Sequence, residues 1–479
     1  MSTVLFDSLR SWWPETILSA GALIVFVAAS WTHNTRPVLA LTWATLGASA
    51  LALWQTPVPP ATELFFGLIV CDPFSLVFRW LALVAVAMTV LLMGASNDID
   101  VSLRGEAYGL LLLIAVGLML MAEANHLLMA YVAMELVSLS AYVLAGFLDD
   151  SRSAEASLKY LLFGALSSGI MLFGMSLLFG LTGQLAFPDI ARACTALSDP
   201  ATQALSLIIL LLLAGLAFKI SMVPFHMWTP DVYEGAPVAV TALLSVGPKA
   251  AGFALLIRLM HALQVAWPPL VATVAALTIV TMTFGNLVAL VQTNVKRLLA
   301  YSTIGQVGYL LIGFAVNTSV GLQALLVYLV AYLFMNLGAF ACVVAVVNES
   351  GSESLDAFRG LATRAPGLAL ACSLFLLSLA GIPPLVGFIG KFLLFGAAIE
   401  GRQMWLAVAA AFNSAIALYY YVNLIRLMYF GRPVQRTPFR VAPAIRLALG
   451  VCAVATLALG LLPGALLSVI HAQAILNLL

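Results

Sequence analysis

The chain has 479 residues, of which 63% are hydrophobic and only 9% are charged, and its formal net charge is +1. This composition lies far outside the range of soluble globular domains and indicates a polytopic membrane protein. The balanced charge gives no indication of nucleic acid or an acidic soluble partner. The five cysteines are scattered without a Cys-x-x-Cys motif or a His/Cys cluster, so we expect free thiols and no metal, haem or iron–sulfur site.

Hydropathy predicts fourteen membrane spans, because a hydrocarbon core of about 30 Å requires about 20 helical residues. The first apolar run lacks a basic flank and many comparable runs follow it, so it is interpreted as a span and not as a signal peptide. The expected fold is an all-α polytopic membrane protein. The predicted spans are 15–31, 37–55, 73–95, 107–123, 125–147, 155–182, 202–230 (broken), 237–263, 268–291, 297–316, 320–347, 366–400 (broken), 403–430 and 442–471.

The distribution of basic residues predicts the orientation of the chain. Connections after odd-numbered spans are rich in arginine, whereas connections after even-numbered spans carry Arg192 and Arg402, with Arg10 and Arg258 near the same side. Cytoplasmic connections are normally the ones enriched in lysine and arginine. We therefore expect both termini on the non-cytoplasmic side.

An internal repeat is also visible in the sequence. Residues 125–131 (NHLLMAY) resemble residues 294–301 (NVKRLLAY), and prolines interrupt span 7 at Pro224 and span 12 at Pro383 and Pro384. If spans 4–8 and 9–13 are the two copies, each has five spans, so the second copy enters the membrane from the other side. The predicted segments are an N-terminal three-helix segment 1–105, a first repeat 106–265, a second inverted repeat 266–430 and a C-terminal helix 431–479.

Lysine and arginine are used differently in this chain. Most arginines flank the spans, whereas four of the five lysines (Lys159, Lys219, Lys249 and Lys391) fall within predicted spans. A lysine near the middle of a membrane is costly, by about 2.5–3.5 kcal/mol on insertion scales. Desolvated lysine can lose its proton, whereas arginine effectively cannot. This pattern is typical of a protein that exchanges protons.

Glu135, Lys219 and His226 are three of the candidate proton sites. Glu135 is near the middle of span 5, and we expect it to pair with a membrane lysine; the alternative is a structural carboxylate bound by serine or tyrosine hydroxyls. Lys219 precedes Pro224, which removes a backbone hydrogen bond and opens a place for water. His226 follows the break and suits a proton carrier, although a structural hydrogen-bonded histidine is the alternative.

The remaining lysines differ in position along their spans. Lys249 lies too far from either end of span 8 to reach the interface, and Lys391 follows the second break. Lys159 is near the end of span 6 and can reach the interface or pair with Glu155. These groups predict a chain of proton sites near the bilayer midplane. Since the sequence contains no redox or nucleotide-binding motif, the energy must come from a partner subunit.

Four segments carry a specific resemblance: 218–237 (FKISMVPFHMWTPDVYEGAP), 245–252 (SVGPKAAG), 292–311 (QTNVKRLLAYSTIGQVGYLL) and 379–392 (LAGIPPLVGFIGKF). They closely resemble the antiporter-like N subunits of bacterial proton-translocating NADH:quinone oxidoreductase, respiratory complex I, and the resemblance extends over essentially the whole chain. It implies fourteen helices with two inverted five-helix repeats and a place in the bacterial cytoplasmic (inner) membrane.

The resemblance also implies partners and a proton path. No cofactor is expected in this chain, whereas NADH, FMN, iron–sulfur clusters and quinone are expected in partner subunits, with M-type and K-type subunits as neighbours in the membrane arm. M-type relatives have a glutamate at the position of Lys391, and L-type relatives are longer. Many relatives have a histidine at Gln306, so a proton role for span 10 is in doubt. The implied proton path consists of Glu135, Lys159, Lys219, His226, Lys249 and Lys391.

Three other functions remain open from the residues alone. The first is a subunit of a multi-chain Na⁺/H⁺ antiporter or membrane-bound hydrogenase, which neighbouring genes would distinguish. The second is a solitary solute transporter, which predicts a midplane cavity and activity when the chain is expressed alone. The third is a structural scaffold, which predicts unchanged pumping when Lys219 or Lys249 is replaced by alanine.

Overall fold

The structure, a computed structural model, describes residues 8–32, 34–56, 61–197, 199–264, 267–433 and 439–474. The described residues form nineteen α-helices, two short 3-10 helices and one β-hairpin. The helices are α1 Trp13–Trp31, α2 Thr35–Gln55, α3 Pro73–Ala95, α4 Arg104–Glu123, α5 Leu127–Ala145, α6 Ser151–Thr182, α7 Phe187–Thr195, α8 Asp199–Ile220, α9 Trp228–Gly235, α10 Val238–Ala262, α11 Trp267–Ala289, α12 Val295–Val316, α13 Ser319–Ser350, α14 Leu361–Arg364, α15 Pro366–Ala380, α16 Val386–Glu400, α17 Met404–Phe430, α18 Pro443–Leu461 and α19 Pro463–Ala474.

The helices confirm the predicted all-α membrane fold. Within the described ranges, thirteen helices are long and apolar enough to cross a membrane. The shorter apolar helix α15 continues after an interruption as α16, and the pair supplies the remaining predicted crossing. The most apolar stretch of α10 is entirely buried, whereas the most apolar stretch of α1 is only one-third buried. The centre of the bundle is therefore α10, and α1 lies at its periphery.

Three elements differ from the sequence-based expectation. The crossing predicted over 442–471 is present but shorter, because α18 ends at Leu461 and a separate helix begins at Pro463, whose ring nitrogen has no hydrogen to donate. The connection after α6 contains the short helix α7, which buries one face through Phe187, Ile190 and Cys194. The hairpin pairs β1 (Thr62–Leu64) with β2 (Ile69–Cys71).

The connections separate into two ends of the bundle. At one end, which we call the basic end, Arg152 of α6 pairs with Glu353, and Val238 donates its backbone N–H to Asp98. At the other, which we call the hairpin end, the loop between α4 and α5 contacts both the hairpin and the loop after α6. Among the described residues, the connections after predicted spans 3, 5, 7, 9 and 11 thus meet at the basic end, and those after spans 2, 4 and 6 meet at the hairpin end.

Two crossings are interrupted where the sequence places its prolines. Helix α8 ends at Ile220 and α9 begins at Trp228, with Pro224 between them. Helix α15 ends at Ala380 and α16 begins at Val386, with Pro383 and Pro384 between them. The inverted relation of the two five-helix units and the four segment boundaries stay predictions.

The second interruption depends on a close backbone approach at Gly387. A Cβ atom added there would lie 1.8 Å from the carbonyl oxygen of Ser378, so the two half-helices would have to separate. We expect Gly387→Ala to destabilise the protein by roughly 1–3 kcal/mol, the usual cost of overpacking. The measurement is the thermal unfolding midpoint of the purified assembly. Gly396→Ala is the matched control, since that glycine lies in the same helix with open space around it.

An unchanged midpoint for Gly387→Ala would contradict this account of the crossing. The control variant should be neutral or slightly stabilising, because alanine is favoured over glycine inside a helix by roughly 0.5–1 kcal/mol.

Candidate functional site

The first interruption is closed by side chains that bind the freed backbone groups. Ser221 has a φ of 65° and ends α8. The indole N–H of Trp228 donates to the Phe218 carbonyl at 3.0 Å, and the Thr229 hydroxyl donates to Ser221 Oγ at 2.8 Å. The backbone N–H of Val223 donates to Thr281 Oγ1 at 3.2 Å. The interruption is therefore a stably hydrogen-bonded part of the bundle, because each of these polar groups has a partner.

Lys219 lies in the last turn of α8, immediately before this interruption. Its side chain is buried, with 1% of the residue exposed. The ammonium Nζ donates to Ser138 Oγ at 2.9 Å and approaches the Met134 carbonyl at 3.4 Å, both on α5. These partners are neutral, so the amine has polar contacts without a counter-charge.

Glu135 lies next to these contacts but does not form the expected ion pair. Among the described residues no lysine lies within 4.0 Å of its carboxylate, and its buried Oε1 has no hydrogen-bond partner. The structure therefore shows no direct Glu135–lysine ion pair, and the pairing of Glu135 with a membrane lysine over a longer distance stays a prediction. Met134 and Ser138 share the face of α5 that Lys219 contacts, and Glu135 lies at the edge of that face, about 100° from Met134 and about 60° from Ser138.

Lys249 occupies the middle of α10 and is fully buried. Its Nζ lies 4.6 Å from the centre of the Trp228 ring and 5.2 Å from that of Tyr233, both on α9. Within the described part of the chain, Nζ has no hydrogen-bond partner. Aromatic faces attract an ammonium group, although less strongly than a carboxylate would. Trp228 also binds the Phe218 carbonyl, so it joins the surroundings of Lys219 to those of Lys249.

His226 lies in the segment between α8 and α9 and is buried. Its ring packs edge-on against Phe284, with 4.6 Å between ring centres. Its Nδ1 is buried without a hydrogen-bond partner among the residues that the structure describes. The role of His226 as a proton carrier and the structural alternative both stay predictions.

The second interruption holds Lys391 in a similar way. Gly381 has a φ of 91°, which ends α15, and the Lys391 Nζ donates to the Ala380 carbonyl at 3.1 Å. The same amine donates to Ser414 Oγ at 3.2 Å and lies 4.2 Å from the centre of the Tyr309 ring. Both interruptions thus place a buried lysine on neutral hydrogen-bond acceptors.

Gln306 belongs to the second interruption, although it cannot titrate. Its amide donates to the Leu379 carbonyl at 3.0 Å and to the Tyr421 hydroxyl at 3.2 Å, and it accepts from the Tyr328 hydroxyl. Leu379 and Ala380 are adjacent, so Gln306 and Lys391 bind neighbouring carbonyls at the end of α15. Gln306 is therefore a polar contact of the Lys391 site.

A set of neutral polar residues, which the sequence analysis did not single out, lies between Lys249 and Gln306. Ser245 is one helical turn before Lys249 and accepts from Asn336 at 2.6 Å. One turn from Asn336 on α13, the Tyr332 hydroxyl donates to Thr303 at 3.0 Å, and Thr303 is three residues before Gln306 on α12. Hydrogen bonds and single helical turns therefore connect the two lysine sites. The signal for this set in the sequence is a pair of polar residues four positions apart within an apolar helix, as at Ser245 and Lys249 and at Tyr332 and Asn336.

Lys159 differs from the other three lysines because it lies near the surface at the basic end. Its side chain is 38% exposed and pairs with Glu155 at 2.8 Å and Asp231 at 2.7 Å. It is part of a group that we call the basic-end cluster, six of whose eight residues line an open cavity of about 280 Å³. The cluster contains four cations and four anions: Arg152, Lys159, Lys296, Arg297, Glu155, Asp231, Glu234 and Glu353.

Glu353 compensates the buried amine of Lys296 in this cluster. The two groups are 2.6 Å apart, and the Lys296 side chain is 1% exposed. Burial raises the pKa of Glu353, but the charge and hydrogen bond of Lys296 and a hydrogen bond from Asn294 outweigh this effect. The pKa of Glu353 is therefore held below its ordinary value of 4.5.

We expect Glu353→Gln to destabilise the protein by about 1–3 kcal/mol, because Lys296 stays buried without its counter-charge. The contribution of Glu353 is present above pH 4.5 and is lost as the pH falls through the lowered folded-state pKa. As the pH is lowered, the thermal unfolding midpoint of the purified assembly should therefore fall more steeply for the parent than for the variant. Asp356→Asn is the control, because its pair with Arg359 is exposed. Parallel pH profiles would show that Glu353 does not contribute in this way.

Similarity to known proteins agrees with this geometry. Residues 124–417 match the transmembrane family described as NADH:quinone oxidoreductase/Mrp antiporter. The match covers more than half of the chain and includes both interruptions. The fold and the buried lysines thus define an antiporter-like membrane subunit.

Individual relatives show which subunit family within this larger family the chain resembles. The chain is 42% identical to NADH-quinone oxidoreductase subunit N of Anaeromyxobacter sp. (strain Fw109-5), over 95% of each chain. It is 44% identical to subunit N 2 of Sorangium cellulosum (strain So ce56), over 95% of this chain and 94% of the relative. The chain therefore belongs to the subunit N family of NADH-quinone oxidoreductase.

Solved structures show the same fold. A chain of respiratory complex I from Thermus thermophilus is 36% identical, with a TM-score of 0.82 over 95% of this chain and 98% of that chain. A chain of the Mrp complex from Dietzia sp. DQ12-45-1b is 23% identical, with a TM-score of 0.85 over 97% and 96% of the two chains. The second likeness concerns the fold alone.

Proposed function

We propose that this chain translocates protons in the membrane arm of a bacterial NADH:quinone oxidoreductase. Electron transfer would occur in partner subunits, which hold NADH, FMN, iron–sulfur clusters and quinone. The observation that carries the proposal is the placement of Lys219, Lys249 and Lys391 inside the bundle on neutral partners.

These buried amines favour proton exchange for an electrostatic reason. Among the described residues, none of the three has a carboxylate within 4.0 Å. A permanently charged, unpaired ammonium at this depth would cost several kcal/mol, whereas a neutral amine costs far less. A lysine that alternates between the two forms can accept a proton from one side and pass it to the next site. Arginine could not do this, since it stays protonated.

The proposed route follows the contacts along the bundle. A proton passes from Glu135 to Lys219, then by His226 to Lys249, and through the polar residues of α12 and α13 to Gln306 and Lys391. Water would bridge the gaps that hydrogen bonds do not span, and Gln306 would orient such water without itself titrating. Lys159 would connect this route to the basic end. Since neighbouring sites interact, a proton arriving at one site shifts the occupancy of the next.

The environment of the chain follows from the same proposal. The basic end would face the cytoplasm, since it carries most of the arginines, and the hairpin end would face the opposite side of the bacterial cytoplasmic membrane. The neighbours would be the M-type and K-type subunits of the membrane arm. Both termini would then lie on the non-cytoplasmic side.

The test uses the whole assembly in sealed proteoliposomes. NADH and a soluble quinone start electron transfer, and a pH-sensitive dye reports proton movement in buffer without sodium. We expect proton movement that a protonophore abolishes and that added sodium does not change. A strict requirement for sodium would favour a Na⁺/H⁺ antiporter and would overturn the proposal.

A further inference from the structure

A second buried ionic group lies outside the proposed route, at the hairpin end. Arg79 of α3 binds Glu15 of α1 with two hydrogen bonds of 2.7 Å, through Nε and Nη2. Its Nε also lies 3.0 Å from Oε1 of Glu123, the last residue of α4. The indole N–H of Trp12 donates to the other oxygen of Glu123 at 3.1 Å. We call Glu15, Arg79 and Glu123 the N-terminal cluster.

The cluster holds one cation against two carboxyl groups. All three side chains are at most 1% exposed. The nearby Asp72 and Arg258 compensate each other, at 2.7 Å. The Cys71 thiol accepts from Arg79 Nη1 at 3.2 Å and is neutral, because burial raises the pKa of Cys71 to about 11 despite the opposing charge of Arg79. With both glutamates ionised, the cluster would carry one uncompensated buried negative charge.

Such a charge would be expensive, since an ion without its partner costs several kcal/mol in a protein interior. The basic-end cluster shows the contrast, because its cations and anions are equal in number and partly exposed. In the N-terminal cluster, Oε1 of Glu123 is buried and receives no hydrogen bond from the described residues, although it faces Arg79. One additional proton on this oxygen would remove the uncompensated negative charge of the cluster.

The cluster lies close to a crevice at the surface. A crevice of about 580 Å³ at the hairpin end is lined by Arg10, Ser11, Gln55, Thr62 and Cys71, among others. Cys71 is the residue that lines the crevice and also contacts Arg79. Cys71 therefore lies between the crevice and the buried guanidinium.

We propose that Glu15 and Glu123 share one bound proton, and that this proton exchanges with water through the crevice beside Cys71. The site is a proton-binding site distinct from the lysines of the bundle. It lies beside α10, because Arg258 of that helix donates to the Ala122 carbonyl, next to Glu123. Arg258 is nine residues beyond Lys249, or about 13.5 Å along the helix. If the proposed relay operates, the cluster is placed to exchange protons between that helix and the hairpin end.

The test is infrared spectroscopy on the complete purified assembly, which reads the carbonyl stretching band of protonated carboxylic acids. We expect a band at neutral pH that is lost in both Glu15→Gln and Glu123→Gln and that shifts in heavy water. Glutamine has the shape of a protonated glutamic acid and leaves one carboxylate paired with Arg79, so both variants should fold. Glu63→Gln, at an exposed glutamate of the hairpin, is the control and should keep the band.

Identical protonated-carboxyl spectra of the parent and both glutamine variants would overturn the proposal. A band that both variants lose but that never shifts in heavy water would overturn the exchange with the crevice. Neither result depends on pumping, so failure of this site is distinguishable from failure of the lysine relay.

Discussion

Replacing Lys249 by methionine should lower the protons moved per electron several-fold while leaving the assembly folded. Methionine has similar length and flexibility, so it keeps the packing against Trp228 and Tyr233. It has no proton to exchange, so the route would be interrupted in the middle of α10. Removal of an unpaired buried amine should leave the thermal stability unchanged or raise it, since the cost of desolvation disappears. Proton movement and NADH oxidation, recorded together in proteoliposomes, measure the effect.

Two further variants distinguish proton transfer from a merely structural charge. Lys249→Arg retains a positive charge but cannot release its proton, so we expect it to pump as poorly as the methionine variant. Arg426→Met is the control, because it removes an exposed cation from α17 and should pump normally. If Lys249→Arg pumped normally, the charge alone would suffice and transfer through Lys249 would be wrong.

Replacing Lys219 by alanine should have an effect of similar size for a different reason. Lys219 is the amine that the interruption places on Ser138 and Met134 of α5, beside Glu135. Its loss would separate Glu135 from the remainder of the route. Ser138→Ala removes only the hydroxyl acceptor and keeps the amine, so it should reduce pumping to an intermediate level. Equal losses in both variants would indicate that packing at the interruption matters and that the amine does not.

Much of the fold was predictable because its cause is local. Apolar runs of the right length define the crossings, and prolines with a neighbouring glycine or serine mark both interruptions. The lysines were also evident, since a cation in an apolar run is conspicuous. The break at Pro463 was missed because the apolar run continues across it.

The contacts of the site depend on features that the sequence does not display. Whether Glu135 or Ser138 meets Lys219 is decided by a rotation of about 60° around α5. The N-terminal cluster joins residues 64 and 111 positions apart, as Arg79 with Glu15 and Trp12 with Glu123. Arg79 falls within a predicted span, so it offered the same signal as the lysines. Its carboxylate partners lie near helix ends, where they resemble ordinary interfacial residues.

The number of protons moved per electron by the reconstituted assembly carrying Lys219→Ala tests the account most directly. Both quantities are measured in the same vesicles, against the parent assembly at a matched rate of NADH oxidation. If buried amines carry the protons, electrons continue to reach quinone while the ratio falls several-fold. A parental ratio at a parental electron-transfer rate would show that protons cross this membrane arm without Lys219.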